Sequence, residues 1–225
     1  MNCPGCYKKI EKNEYCLSCR KKLFDGKRVS TVLEFDKPNA ENISMYNEHS
    51  KRMSISGVQL KYSLKLVLNK LELCEKNGQY IIKPIPTADH LEMMDDAPEN
   101  EHLTMQIASQ IFNIKTAHNA LIYFKDGPPA YITKRFDVKG DGTKYIQEDF
   151  AQITNRTKET HGASYKYDGS YLEIGTLIKQ YVRAAMVAVE NFFKIALFNS
   201  VFAINFLSNG ILNPCSIQYN QPRLM

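Results

Sequence analysis

The stretch Met53-Ser-Ile-Ser-Gly-Val-Gln-Leu-Lys-Tyr-Ser-Leu64, followed by Tyr80-Ile-Ile-Lys-Pro84, pairs a glycine-containing serine loop with a lysine set in an apolar run. Backbone N–H groups of such a loop can cradle phosphate oxygens, and a lysine held on a neighbouring strand neutralises them. The pair reads as a nucleotide-phosphate site. Around it, residues 64–73 alternate like one strand, Asn77-Gly78 supplies a hairpin turn, and residues 79–83 return as the second strand. Ile82 and Lys83 then point to opposite faces. Pro84, which has no N–H to give the ladder, suits a strand that stops there.

Downstream, Asp95-Asp-Ala-Pro-Glu-Asn-Glu-His102 opens a helix with Pro98 at the first helical position and Glu99 and Glu101 at its positive end. Leu103, Ile107 and Ile111 continue at helical spacing. Residues 120–125 and 131–133 form a second apolar hairpin through Asp126-Gly-Pro-Pro129. The longest apolar stretch, residues 184–207, is interrupted by Glu190, Asn191, Lys194 and Asn199, so it reads as a buried helix rather than a membrane span.

With 225 residues, 44% of them hydrophobic, the chain can bury a core for one domain plus a small appendage. A net charge of +5 with acids and bases interspersed does not imply wholesale nucleic-acid binding. No secretory h-region opens the chain, and a cytoplasmic location is expected.

Four of the six cysteines fall in two C-x-x-C knuckles, Cys3-Pro-Gly-Cys6 and Cys16-Leu-Ser-Cys19. Two tight turns can present four thiolates to one tetrahedral Zn2+, the metal such a closed site favours in a reducing cytoplasm. Two disulfides or a redox C-x-x-C are the alternatives. Lys8, Lys9, Lys12, Arg20, Lys21 and Lys22 surround the knuckles. They either offset the charge of a four-thiolate centre or form a nucleic-acid or partner patch. A segment this short cannot make a core of its own, so the metal is expected to substitute for one.

Six segments occur in the order and approximate spacing of the HipA-like kinases: Ser54-Ile-Ser-Gly-Val-Gln-Leu-Lys61, Ile81-Ile-Lys-Pro84, Asn100-Glu101-His102, Lys134-Arg-Phe-Asp137, Gln147-Glu-Asp149 and Lys166-Tyr-Asp-Gly169. On these residues the chain resembles that family of bacterial Ser/Thr kinases, typically toxins of toxin–antitoxin pairs. The resemblance implies an α+β, HipA-type protein-kinase-like fold. A β-rich upper lobe with one helix and the hinge spans 51–137, and a helical, truncated lower lobe spans 138–203. A zinc-ribbon-like segment (1–25) and a linker packing partly on the next domain (26–50) precede them, and an aberrant tail (204–225) follows.

The same resemblance implies that Ser56, Gly57, Val58, Gln59, Leu60, Lys61 and Lys83 hold ATP with Mg2+. Glu101 becomes the partner of Lys83, the alternative being a surface acid answering the helix dipole. Lys134, Arg135 and Phe136 become the adenine-contacting hinge, or Phe136 a core aromatic. Ser54 becomes the serine that the family phosphorylates on itself, or an ordinary turn serine. Lys134 and Leu60 depart from the glutamates common at those positions. The last two motifs resemble structural segments of the lower lobe. A protein Ser/Thr substrate and a DNA-binding antitoxin are the implied partners, with no membrane.

The resemblance breaks after the helix read over residues 176–202. Where the family carries its catalytic Asp and metal-binding Asn, this chain has Phe206 and Ile211, and no acid follows Glu190. Phosphotransfer is expected to be lost, through a changed reading frame near Ala203 or gene decay. What remains is a nucleotide- or antitoxin-binding pseudokinase, or a zinc-dependent interaction module joined to a kinase relic.

Overall fold

A computed structural model of the chain describes residues 1–50, 60–86, 94–145, 148–163, 165 and 168–202. The chain divides into two compact units, Met1–Val138 and Lys139–Met225. The architecture is mixed α+β.

The first unit is built on five antiparallel strands: β1 (Tyr62–Val67), β2 (Lys70–Leu73), β3 (Tyr80–Pro84), β4 (Asn119–Tyr123) and β5 (Pro129–Lys134), arranged β2-β1-β3-β5-β4. The single strand expected over residues 64–73 is therefore two. Leu68 takes a left-handed conformation (φ 56°), and the chain doubles back so that Leu66 faces Leu71 and Leu64 faces Leu73. Apolar alternation on both sides of the turn is broken only by Asn69-Lys70, with no Gly or Pro, which is why the sequence reads as continuous.

Asn77-Gly78 does not join two paired strands either; β3 returns to the free edge of β1, opposite β2. Gly78 is needed there for space, since a Cβ would lie 1.7 Å from Ser63 Oγ. The β4–β5 hairpin forms as its turn residues predict.

Side chains alternate across the sheet. On one face Tyr62, Leu64, Tyr80, Ile82, Ala120, Ile122, Ala130 and Ile132 are buried, and they merge into one core with Cys3, Tyr15, Cys19, Leu23, Phe24, Leu33 and Tyr46. The cysteine segment and its helix α1 (Leu17–Phe24) thus share the core of the sheet. The expectation that metal alone must replace a core is corrected: Tyr15 and Phe24 supply aromatic bulk that the knuckles lack.

Residues 26–50 contribute in the same way. Leu33 N–H donates to the Tyr123 carbonyl at 2.8 Å and Tyr123 N–H to Thr31 at 2.9 Å, so this stretch pairs with the β4 edge and closes it. Tyr46, on α2 (Ile43–Ser50), stacks edge-on against Tyr62 at 4.6 Å.

Helix α3 (Ala97–Gln110) joins β3 to β4 and packs against β4 and β5. Its buried stripe is Pro98, Glu101, His102, Met105 and Ala108, whereas Leu103 and Ile111 are 45% and 68% exposed. The helical spacing of Leu103, Ile107 and Ile111 does not mark the buried face, because α3 meets polar partners, Lys83 and Asn119, that select its polar side chains for the inside.

The second unit is helical: α4 (Phe150–Ile153), α5 (Lys158–His161), α6 (Tyr171–Tyr181) and α7 (Ala185–Phe202). Asp149 of the expected structural segment caps α4, accepting from Gln152 N–H while the Gln152 side chain answers the Asp149 N–H. Arg156 ties the Asp168 carbonyl to the Glu173 carboxylate, and a Cβ at Gly169 would meet Arg156 Nη1 at 2.5 Å.

The one helix expected over residues 176–202 is two, broken where Val182 turns extended. The break lets Ile174 and Ile178 pack on Ala188 and Phe192. Helix α7 is not a buried helix among the described residues, since Met186, Val187, Phe193, Leu197 and Val201 are half to three-quarters exposed. By length and composition α7 is apolar enough to cross a bilayer, yet Glu190 and Lys194 form an i,i+4 ion pair at 2.6 Å within it.

Candidate functional site

Strand β3 aims Lys83 away from the main core, toward α3. Its Nζ lies 2.6 Å from Glu101 Oε1, both side chains are nearly buried (12% and 7% exposed), and the Tyr131 ring lies 5.4 Å from the ammonium. Burial pushes the Glu101 carboxyl up, against the pull of Lys83 and, further off, Lys61. An ammonium held on a rigid strand by a helix carboxylate is oriented in advance, the arrangement that kinases use to grip phosphates.

The structure brings Lys83 and Glu101 together, with Lys61 near enough for its charge to act on the Glu101 carboxyl. Leu60, at the end of the loop, is 43% exposed. Ser54, Ser56, Gly57, Val58 and Gln59 lie outside the described residues, as do Phe206 and Ile211.

At the end of β5, Lys134 N–H donates to His118 and Arg135 N–H to the Gln79 carbonyl, both at 2.8 Å, so neither donor is open to a base. Lys134 Nζ meets Asp25 Oδ1 at 2.5 Å. Arg135 forms a two-point ion pair with Asp137. Phe136 is 52% exposed, so it is no core aromatic.

The four cysteines at the β4 edge converge rather than pairing off. Their Sγ atoms lie within 4.8 Å of one another, and none is in a disulfide. Cys6 and Cys16 Sγ are 3.7 Å apart, close to the ~3.8 Å edge that Zn–S bonds of about 2.3 Å give a tetrahedron.

Backbone N–H groups of Gly5 (3.4 Å) and Cys16 (3.2 Å) point at Cys3 Sγ. A hydrogen bond from Cys19, with these two, lowers the Cys3 thiol to about 4, while Cys19, holding the shared proton, is raised. A cation would take the place of such protons and let all four ionise. Gly5 is required at the centre, where a Cβ would sit 2.8 Å from Cys19 Sγ. The residues fit a four-cysteine metal centre.

Two contacts anchor that centre to the sheet. Leu121 N–H donates to the Pro4 carbonyl at 2.9 Å, and the buried Tyr15 hydroxyl donates to the Leu121 carbonyl at 2.8 Å. On the α3 side, the Tyr7 ring lies 5.0 Å from that of His102, whose Nδ1 is 2.8 Å from Asn119 Oδ1. Sequence reasoning missed Tyr7, Asp25, Asn119 and Tyr131. Asp25 and Lys134 are 109 positions apart, and no local pattern links them.

Residues 53–204 match the family described as the HipA-like C-terminal domain. The chain is also similar to a Haemophilus influenzae protein named "Putative kinase", 26% identical over 210 residues, covering 85% of this chain and 57% of that relative.

Proposed function

The chain belongs to the HipA-like C-terminal domain family, and from that premise we propose that its first unit binds ATP through Lys83, oriented by Glu101, without transferring phosphate. The Lys83–Glu101 ion pair is the observation that carries this reading. Lys61, with the loop residues Ser56 to Gln59 before it, is assigned to the same phosphates. Phe136, with its exposed ring, is assigned to the base, with Lys134 and Arg135 contributing through their backbone carbonyls because their N–H groups and side chains are engaged.

Phosphotransfer needs a carboxylate to orient the attacking hydroxyl and further groups to hold Mg2+. The positions where the family resemblance places these groups are Phe206 and Ile211, neither of which can orient a hydroxyl or hold a cation. The family role, a Ser/Thr kinase acting on a protein substrate and held by a DNA-binding antitoxin, is assigned here as nucleotide and partner binding. Ser54 is retained as the phospho-acceptor position of its loop, which on this reading only a kinase acting in trans would modify. The protein is placed in the cytoplasm, with Zn2+ held by Cys3, Cys6, Cys16 and Cys19 and supplying structural cross-linking there.

Titration with ATP tests the reading. Saturable binding by the wild-type chain, lost in Lys83→Ala and retained in Ser54→Ala, is expected. Equal affinity in wild type and Lys83→Ala would remove Lys83 from the site.

A further inference from the structure

Glu101 is placed by α3, so whatever seats α3 also sets the phosphate site. Along α3, His102, Gln106 and Gln110 form an i, i+4, i+8 row beside Glu101. Gln110 Nε2 reaches the Cys6 carbonyl at 3.4 Å and Gln106 Oε1 at 2.7 Å. Gln106 Nε2 in turn donates to Asn119 Oδ1 at 3.0 Å. At the head of this row His102 is fully buried under the Tyr7 ring.

Tyr7 directly follows the second cysteine of the first knuckle and holds φ 60°, a conformation disfavoured for any side chain other than glycine. Its N–H completes the knuckle by donating to the Cys3 carbonyl at 2.9 Å. A glycine would close that turn with less strain, so the aromatic ring has a separate task, and the only ring it meets among the described contacts is His102 on α3.

We propose that Tyr7, with the His102–Gln106–Gln110 row, is a positioning residue that couples the four-cysteine centre to Glu101, so that an intact metal-loaded knuckle holds α3 against Lys83. The inference rests on the reading of Lys83 as the ATP-phosphate lysine. It assigns to the cysteine segment control of nucleotide affinity, a task distinct from holding its own fold. Loss of the metal would release the first knuckle and with it the seat of α3.

The test uses the full chain loaded with Zn2+ under reducing conditions. Hydrogen exchange is followed separately for α3 and for β3 and β5, ATP affinity is measured by titration, and metal content is determined on every sample. Tyr7→Ala is expected to keep one zinc and the wild-type protection of β3 and β5, yet to exchange α3 amides about ten-fold faster and bind ATP about ten-fold more weakly, as local opening of one element requires. Tyr7→Phe, which keeps the ring, is expected to restore both.

Wild-type α3 protection in a zinc-loaded Tyr7→Ala chain would overturn the coupling. Failure of the wild-type chain to bind zinc would overturn it as well. If zinc binds but ATP does not, the nucleotide reading fails by itself, and the α3 exchange of Tyr7→Ala still decides whether the knuckle seats the helix.

Discussion

Lys83 and Glu101, 18 positions apart, meet at 2.6 Å between β3 and α3 with both charges nearly out of water. Desolvation makes such a pair a poor source of stability, since apolar replacement of both partners is often neutral or better. Its presence points to use of the charge rather than to the fold.

Removing one partner is therefore expected to cost more than removing both. Lys83→Met alone should destabilise by about 3–5 kcal/mol, because Glu101 is left buried without its cation, whereas Lys83→Met with Glu101→Leu should recover most of that loss. Urea unfolding of the three chains measures the difference. The double variant, though folded, should not bind ATP.

Stability should fall on mild acidification because of His102. Burial holds its imidazole neutral, lowering it to about 4 against the ordinary 6.5, despite the Asn119 hydrogen bond. The folded state thus binds its proton less readily than the unfolded chain. The contribution is present above about pH 6.5 and is lost as pH falls toward 4, a span worth about 3 kcal/mol. Unfolding free energies at pH 7 and 4.5 should differ less in His102→Gln than in wild type; equal pH dependence would show that another group controls it.

Gly78→Ala is expected to destabilise the sheet by about 1–3 kcal/mol, since the new methyl must displace Ser63, whose Oγ would be 1.7 Å away. Pairing the change with Ser63→Gly, which removes the obstructing hydroxymethyl, should recover part of the loss. Thermal melts of the single and double variants provide the measurement.

Incubation with labelled ATP, Mg2+ and a generic protein substrate should give no time-dependent phosphate incorporation. Phe206 and Ile211 stand where the resemblance places the groups that orient the hydroxyl and hold the metal. Incorporation that Lys83→Ala abolishes would show that the catalytic acid lies elsewhere in the chain.

The sequence by itself determined the convergence of four cysteines, because two C-x-x-C spacings dictate local turns whatever surrounds them. It likewise marked the β4–β5 hairpin, whose turn residues restrict φ locally. Family resemblance was legible in short motifs such as Ile81-Ile-Lys-Pro84, which carry the lysine on its strand.

Tertiary structure decided what those local patterns leave degenerate. Leu64 to Leu73 carries apolar alternation on either side of Asn69-Lys70, and the doubling back at Leu68 is seen only in the pairing of β1 with β2 on one edge and β3 on the other. Helix α3 carries two stripes at helical spacing, and the face holding Glu101 and His102 went inward because Lys83 and Asn119 wait there. The contacts of Tyr7 with His102, and of Asp25 with Lys134, join residues about a hundred positions apart. Nothing in a local window encodes such pairs, because the free energy that selects them is packing realised only when the sheet has two covered faces.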